Sequence, residues 1–184
     1  MPFPARAAGC GDHRLFASEE LMSASPEGSP EESRTLLLER AGLTVLGAPD
    51  EAGLPAPGEV WKSVAGFLVE PDATVPVSAP DWAEQVDARW LELARDSGLI
   101  APDGTFLIHV GGRGLGRLGW AVVRWSAGAR LAATLTDGPQ QPEFVTMARD
   151  AHTSCGVTTE EYDIWLVRTD DGARGVDPQA PSGS

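Results

Sequence analysis

The sequence predicts a single α+β domain: a mainly antiparallel sheet with a central three-stranded meander, packed by three to four helices. Three observations lead there. Residues 81–96 place Trp82, Val86, Trp90 and Leu93 on one stripe at helical spacing. Residues 105–110 and 119–125 are short runs of β-branched and aromatic residues separated by a glycine-dense stretch. Ser29-Pro30-Glu31-Glu32 is a capping-box pattern, with a hydroxyl at the N-cap, Pro at the first helical position and Glu at the third.

The helix opened at Ser29 is expected to reach Arg40, with Gly42 as its left-handed stop. A short strand over 43–46 and a Pro/Gly loop over 47–57 follow. Residues 59–69 carry Val60, Trp61, Val64, Phe67 and Leu68 on one helical face. Residues 71–80 read as an extended linker between prolines. The long helix then spans 81–96, with Asp81 and Glu84 favouring its N-terminal dipole and Gly98 ending it. Strands are expected over 105–110, 119–125 and 129–136, the last two joined by the loop Ser126-Ala127-Gly128. After a turn at Asp137-Gly138-Pro139, residues 142–155 place Phe144, Val145, Ala148, Ala151 and His152 on the inner side of a further helix, stopped by Gly156. A last strand covers 162–168. The domain therefore runs over 29–170, between a leader (1–28) and a tail (171–184) that both lack periodicity and read as disordered.

Leu54-Pro55, Val60-Trp61 and Phe67-Leu68 together resemble the opening of a family of small, acidic α+β immunity domains. The strand order that follows does not continue the likeness. What the resemblance implies is a non-catalytic binder of another protein.

Charge narrows the function. Net charge is −13, from 27 acids against 14 bases. Nucleic-acid binding needs a broad basic footprint, and so does an anionic membrane surface, so neither is expected as a partner. No apolar run approaches the length of a membrane span, and the first residues lack a signal-peptide core. A cytoplasmic location follows. Cys10 and Cys155 do not make a disulfide framework.

One segment breaks the acidic pattern. Residues 104–136 hold Arg113, Arg117, Arg124 and Arg130 and no acid, while the rest of the chain holds all 27 acids and ten bases and sums to −17. The same segment contains Gly114-Leu115-Gly116-Arg117-Leu118-Gly119, formally G-x-G-x-x-G. A dinucleotide site requires that run to open a helix. Here Trp120 to Trp125 has strand chemistry, so the run reads as a loop between antiparallel strands. Its amides could still form an anion nest closed by Arg113 and Arg117, with Gly114 and Gly116 free to turn and His109 just before the loop as a proton carrier.

Arg124 and Arg130 flank the expected hairpin in one of two registers. In one they sit opposite each other and want an anion between them; in the other Trp125 faces Arg130 and a cation–π contact forms. His152 and Cys155 read as buried structural residues on one helix face, short of the ligands a zinc site needs.

No complete catalytic constellation occurs and no cofactor or metal is expected. Two readings remain: a non-catalytic protein-interaction module, of the immunity-protein or chaperone-like adaptor kind, using an acidic helix face or an uncovered sheet face; or a small-molecule enzyme or sensor that binds a phosphate- or carboxylate-bearing ligand at 111–119.

Overall fold

The computed structural model describes residues 28–50, 52–65 and 69–170. The expected leader and tail lie outside these residues, apart from Gly28, and so do Phe67 and Leu68. The fold is α+β, built on a seven-stranded, wholly antiparallel sheet.

In chain order the elements are α1 (Pro30–Arg40), β1 (Thr44–Gly47), α2 (Pro57–Val64), β2 (Ala73–Pro76), α3 (Trp82–Asp96), β3 (Thr105–Val110), β4 (Ala121–Arg124), α4 (Leu131–Thr134), β5 (Thr136–Gly138), β6 (Gln141–Pro142), β7 (Phe144–Met147), β8 (Thr153–Thr159) and β9 (Asp163–Asp170). Across the sheet the order is β1-β4-β3-β7-β8-β9-β2, and β5 with β6 forms a separate small hairpin.

Local chemistry explains the first helix. Ser29 Oγ accepts from the Glu32 amide, and the Glu32 carboxylate accepts from the Ser29 amide, which closes the capping box. Gly42 ends the chain's turn at φ +87°, where a Cβ would lie 2.9 Å from Cα of Ala129, so no other residue fits there.

The two sheet faces carry two separate cores. On one, Phe106, Ile108, Val123, Phe144, Val157 and Leu166 pack under α1, α3 and α4, with Trp90 of α3 fully buried at the centre. The Trp90 ring lies 5.5 Å from Phe106 and 5.3 Å from Trp125. Its indole N–H donates to Thr146 Oγ1 at 3.0 Å, and that hydroxyl donates to the Cys155 carbonyl at 3.0 Å. On the other face, Leu107, Trp120, Val122, Val145, Met147 and Val167 pack with Val60 and Val64 of α2. β3 is buried on both faces along its whole length, as expected of a strand covered on two sides.

Three elements differ from the expectation. Residues 142–155 form no helix: they hold β6, β7, a tight turn and the start of β8. The segment is buried on both faces over 144–148, so a helical stripe can be drawn through that part of it. Its β-branched Val145, Thr146 and Thr153 pair into ladders instead, with His109 opposite Val145 and Thr146 opposite Cys155. Residues 129–136 form no third strand: Leu131-Ala132-Ala133 has weak strand preference and takes one helical turn, α4. The neighbour of β4 on that side is β1, with Thr44 opposite Arg124. Finally, the expected linker contains β2, which pairs with β9 at the sheet edge, the position where a strand tolerates Pro76.

Gly156, expected to stop a helix, lies within β8 opposite Val167. A Cβ there would lie 2.7 Å from Cβ of Val64, so its missing side chain is what lets α2 approach the sheet. Gly156→Ala is therefore expected to lower stability by about 1–3 kcal/mol through overpacking, read as a lower urea midpoint. Val64→Ala in the same chain should recover part of that loss. Additive losses would show that the contact does not set the spacing.

Candidate functional site

The glycine loop does join β3 to β4, and it is a stack of tight turns rather than an open cradle. The Leu115 amide donates to the Gly112 carbonyl and the Leu118 amide to the Leu115 carbonyl, while the Leu115 side chain is buried in the core. Gly116 passes so close to Gly111 that a Cβ would lie 2.8 Å from its carbonyl oxygen. Gly114 turns at φ +76° and Arg113 at φ +57°.

An anion does sit on this loop, and it belongs to the chain. Asp137 Oδ1 accepts from the Arg113 amide at 3.1 Å. A Cβ on Gly112 would lie 2.6 Å from that same oxygen, so the glycine makes room for the carboxylate. The Arg113 side chain folds onto β5, donating from Nε to the Thr136 carbonyl at 2.9 Å and from Nη2 to Thr136 Oγ1 at 3.3 Å. Glu143 approaches Gly111 from the other side, and its pKa is raised first by burial and then by the Asp137 charge.

The remaining arginines go elsewhere. Arg124 is exposed on β4; Asp103, which faces its field, is held below the usual carboxylate range first by the Thr105 hydroxyl and amide and more weakly by that charge. Arg130 reaches Glu84 of α3 at 3.4 Å, with both side chains well exposed, so the pair contributes little to stability. Arg117 is exposed on the loop, as are Gly114 and Gly116. The two hairpin registers drawn for Arg124 and Arg130 do not arise, because the Arg130 amide donates to the Ala41 carbonyl and no strand pairs there.

His109 is buried beneath the loop, its ring edge-on to Trp120 at 6.2 Å. Burial lowers its pKa; the carbonyls of Leu118 and Gly119 oppose that, and Arg34 adds to it. Arg34 of α1 donates from Nη1 to the Gly119 carbonyl at 2.6 Å, so α1 and β3 both serve the loop's last turn. A histidine this buried, packed against Trp120 and beneath the Leu118 and Gly119 carbonyls, is placed to hold the loop's last turn.

His152 and Cys155 separate. His152 is exposed in the turn between β7 and β8, where its amide donates to Asp150, contrary to the buried position expected for it. Cys155 is buried in β8, and desolvation pushes its thiol up to about 12, which removes it as a nucleophile. Among the described residues no group of His, Cys, Asp and Glu is arranged to hold a metal ion.

The helical stripe of 81–96 places Asp87 among the exposed positions, and the fold draws it inward. Its carboxylate, half-buried on α3, accepts from the Ala132 amide at 2.8 Å and so caps the single turn of α4. Burial raises its pKa from 3.8 to about 6 against the opposing pull of the Ala132 and Leu131 amides and of Arg130.

Comparison with protein-family models, curated proteins and solved structures returns no match. The likeness of residues 54–68 to an immunity-domain opening therefore establishes no family membership.

Because Asp87 titrates higher in the folded chain than in the unfolded one, its ionisation opposes folding. Its contribution is most favourable near pH 4 and is lost as pH rises through 6. Asp87→Asn, which keeps the acceptor for Ala132, should therefore stabilise by about 1–2 kcal/mol above pH 7, and the gain should shrink towards pH 5. Asp87→Ala leaves the amide without its acceptor and should cost about 1–3 kcal/mol. Urea midpoints at pH 5 and pH 8 distinguish the two variants; a pH-independent gain for Asn would remove the assignment.

Proposed function

We propose that this chain is a non-catalytic protein-interaction module of the cytosol that takes up an extended segment of a partner along the free edge of β1. The observation that carries this reading is the contrast between the two sheet edges. Among the described residues β1 pairs with β4 alone, carries no charged side chain and leaves Leu46 46% exposed. At the opposite edge, β2 ends in Pro76, follows Pro71 and is flanked by Asp72, whose carboxylate accepts from the Arg168 amide at 2.7 Å. Prolines, charges and bulges are how sheets defend an edge. Within β1 there is no proline and no charged side chain, although its register shifts between Val45 and Gly47 and Pro49 and Asp50 follow it. Such an edge offers main-chain donors and acceptors to an added strand, and the exposed Leu46 side chain helps choose its sequence.

The sequence suggested an acidic helix face or an uncovered sheet face; the covered faces of β3 and β4 favour a sheet edge over the latter. High negative charge suits a soluble binder whose association is steered by the partner's own positive field. The anion-ligand alternative at 111–119 is weakened, because Asp137 and Thr136 already take the Arg113 donors. Among the described residues no helix is long and apolar enough to cross a membrane.

Selection of extended peptides from a random display library tests the reading. Binders should slow hydrogen exchange at the amides of residues 44–47, and Leu46→Lys should weaken them about tenfold or more while the urea midpoint stays within about 0.5 kcal/mol. Binders that protect 111–119 instead, or that ignore Leu46→Lys, would sink it.

A further inference from the structure

One cleft lies away from both the arginine segment and β1. It opens between α2 and the end of the β7–β8–β9 ladder and holds about 560 Å³, a volume typical of small-molecule sites. Its origin is structural. α2 has eight residues and is seated over Gly156, so among the described residues the far end of that sheet face has no helix over it.

There the large apolar residues of the face give way to small hydroxyl-bearing ones. Ser154 and Thr169 are registered partners across β8 and β9, and their hydroxyls lie 2.6 Å apart. Ser154 is only 6% exposed, yet it lines the cleft floor. Of that pair one hydroxyl donates to the other, so the two present a spare donor and free lone pairs. Met147 and Ala151 supply an apolar wall.

The rim carries opposite charges one helical turn apart. Glu59 and Lys62, the chain's sole lysine, both line the cleft from α2. Glu59 Oε2 accepts from the Ala56 amide at 3.2 Å, which fixes the carboxylate and leaves Oε1 for a ligand donor. A carboxylate and an ammonium on the rim, hydroxyls on the floor and an aliphatic wall together match one class of small molecule.

We infer that this cleft binds a free aliphatic amino acid: its ammonium meets Glu59, its carboxylate meets Lys62 and the Ser154/Thr169 hydroxyls, and its side chain rests on Met147 and Ala151. The site is independent of strand addition at β1, so either can fail without the other.

Calorimetric titration of the full chain with L-leucine and L-valine tests it. Saturable one-to-one binding is expected, weakened about tenfold or more in N-acetyl-L-leucine and L-leucinamide, each of which lacks one charge. Lys62→Met and Glu59→Gln should each weaken leucine by a similar factor without moving the urea midpoint, since both are exposed and the glutamine keeps an acceptor for Ala56. Ser154→Val should remove binding by filling the floor; the two rim variants keep the test decisive if that chain fails to fold. No saturable binding, equal binding of the blocked derivatives, or indifference to Lys62→Met would each overturn the assignment.

Discussion

The fold turns on one buried hydrogen bond. Trp90 is, with Trp120, one of the two largest fully buried side chains, and its indole N–H must find an acceptor there or cost several times a normal hydrogen bond. Thr146 provides it from β7 and hands its own proton to the Cys155 carbonyl on β8. This relay ties α3 to the middle of the sheet at one registration, because a strand shifted by one residue would turn Thr146 to the opposite face. The aromatic contacts to Phe106 and Trp125 then place β3 and the end of β4 around the same ring. No buried side-chain polar atom among the described residues lacks a partner, so this core combines polar groups with tight packing without an unsatisfied group.

The parts legible in the sequence are those where local chemistry and tertiary demand agree. Ser29 and Glu32 write the start of α1, the Trp82–Trp90 stripe writes α3, and Thr105–Val110 is a strand by composition and by burial. Residues 142–155 were not legible for a physical reason. Over 144–148 both faces are buried, so helical and extended periods both fit there, and only pairing with β3 and β8 decides. Residues 71–80 were opaque because prolines that exclude an interior strand are acceptable at an edge.

The charge pattern was visible, but its resolution was not. The arginine-bearing stretch ends at Asp103 on one side and at Asp137 on the other. These bounding acids are the ones that return to it: Asp137 to the Arg113 amide, Asp103 into the field of Arg124. Short-range returns of this kind, to a backbone amide and into a field rather than as ion pairs, leave a faint trace in sequence, namely that the nearest acids flank the basic run. The Arg130–Glu84 contact and the cap from Asp87 to α4 leave none, since they join positions more than forty residues apart. The cleft beside α2 was equally hidden, because Ser154 and Thr169 become neighbours only through the β8–β9 register.

The unequal edges of the sheet also set a valency. A sheet open at both ends can be extended without limit, each added molecule offering a fresh edge to the next, and that is the geometry of fibrils. Here prolines at the β2 end terminate any such series. If two molecules met through β1 they would use up the one available edge on each, and growth would stop at a closed pair. The same geometry would let this acidic protein keep the four-residue outer edge of β1, unpaired among the described residues, without becoming the seed of an open-ended assembly.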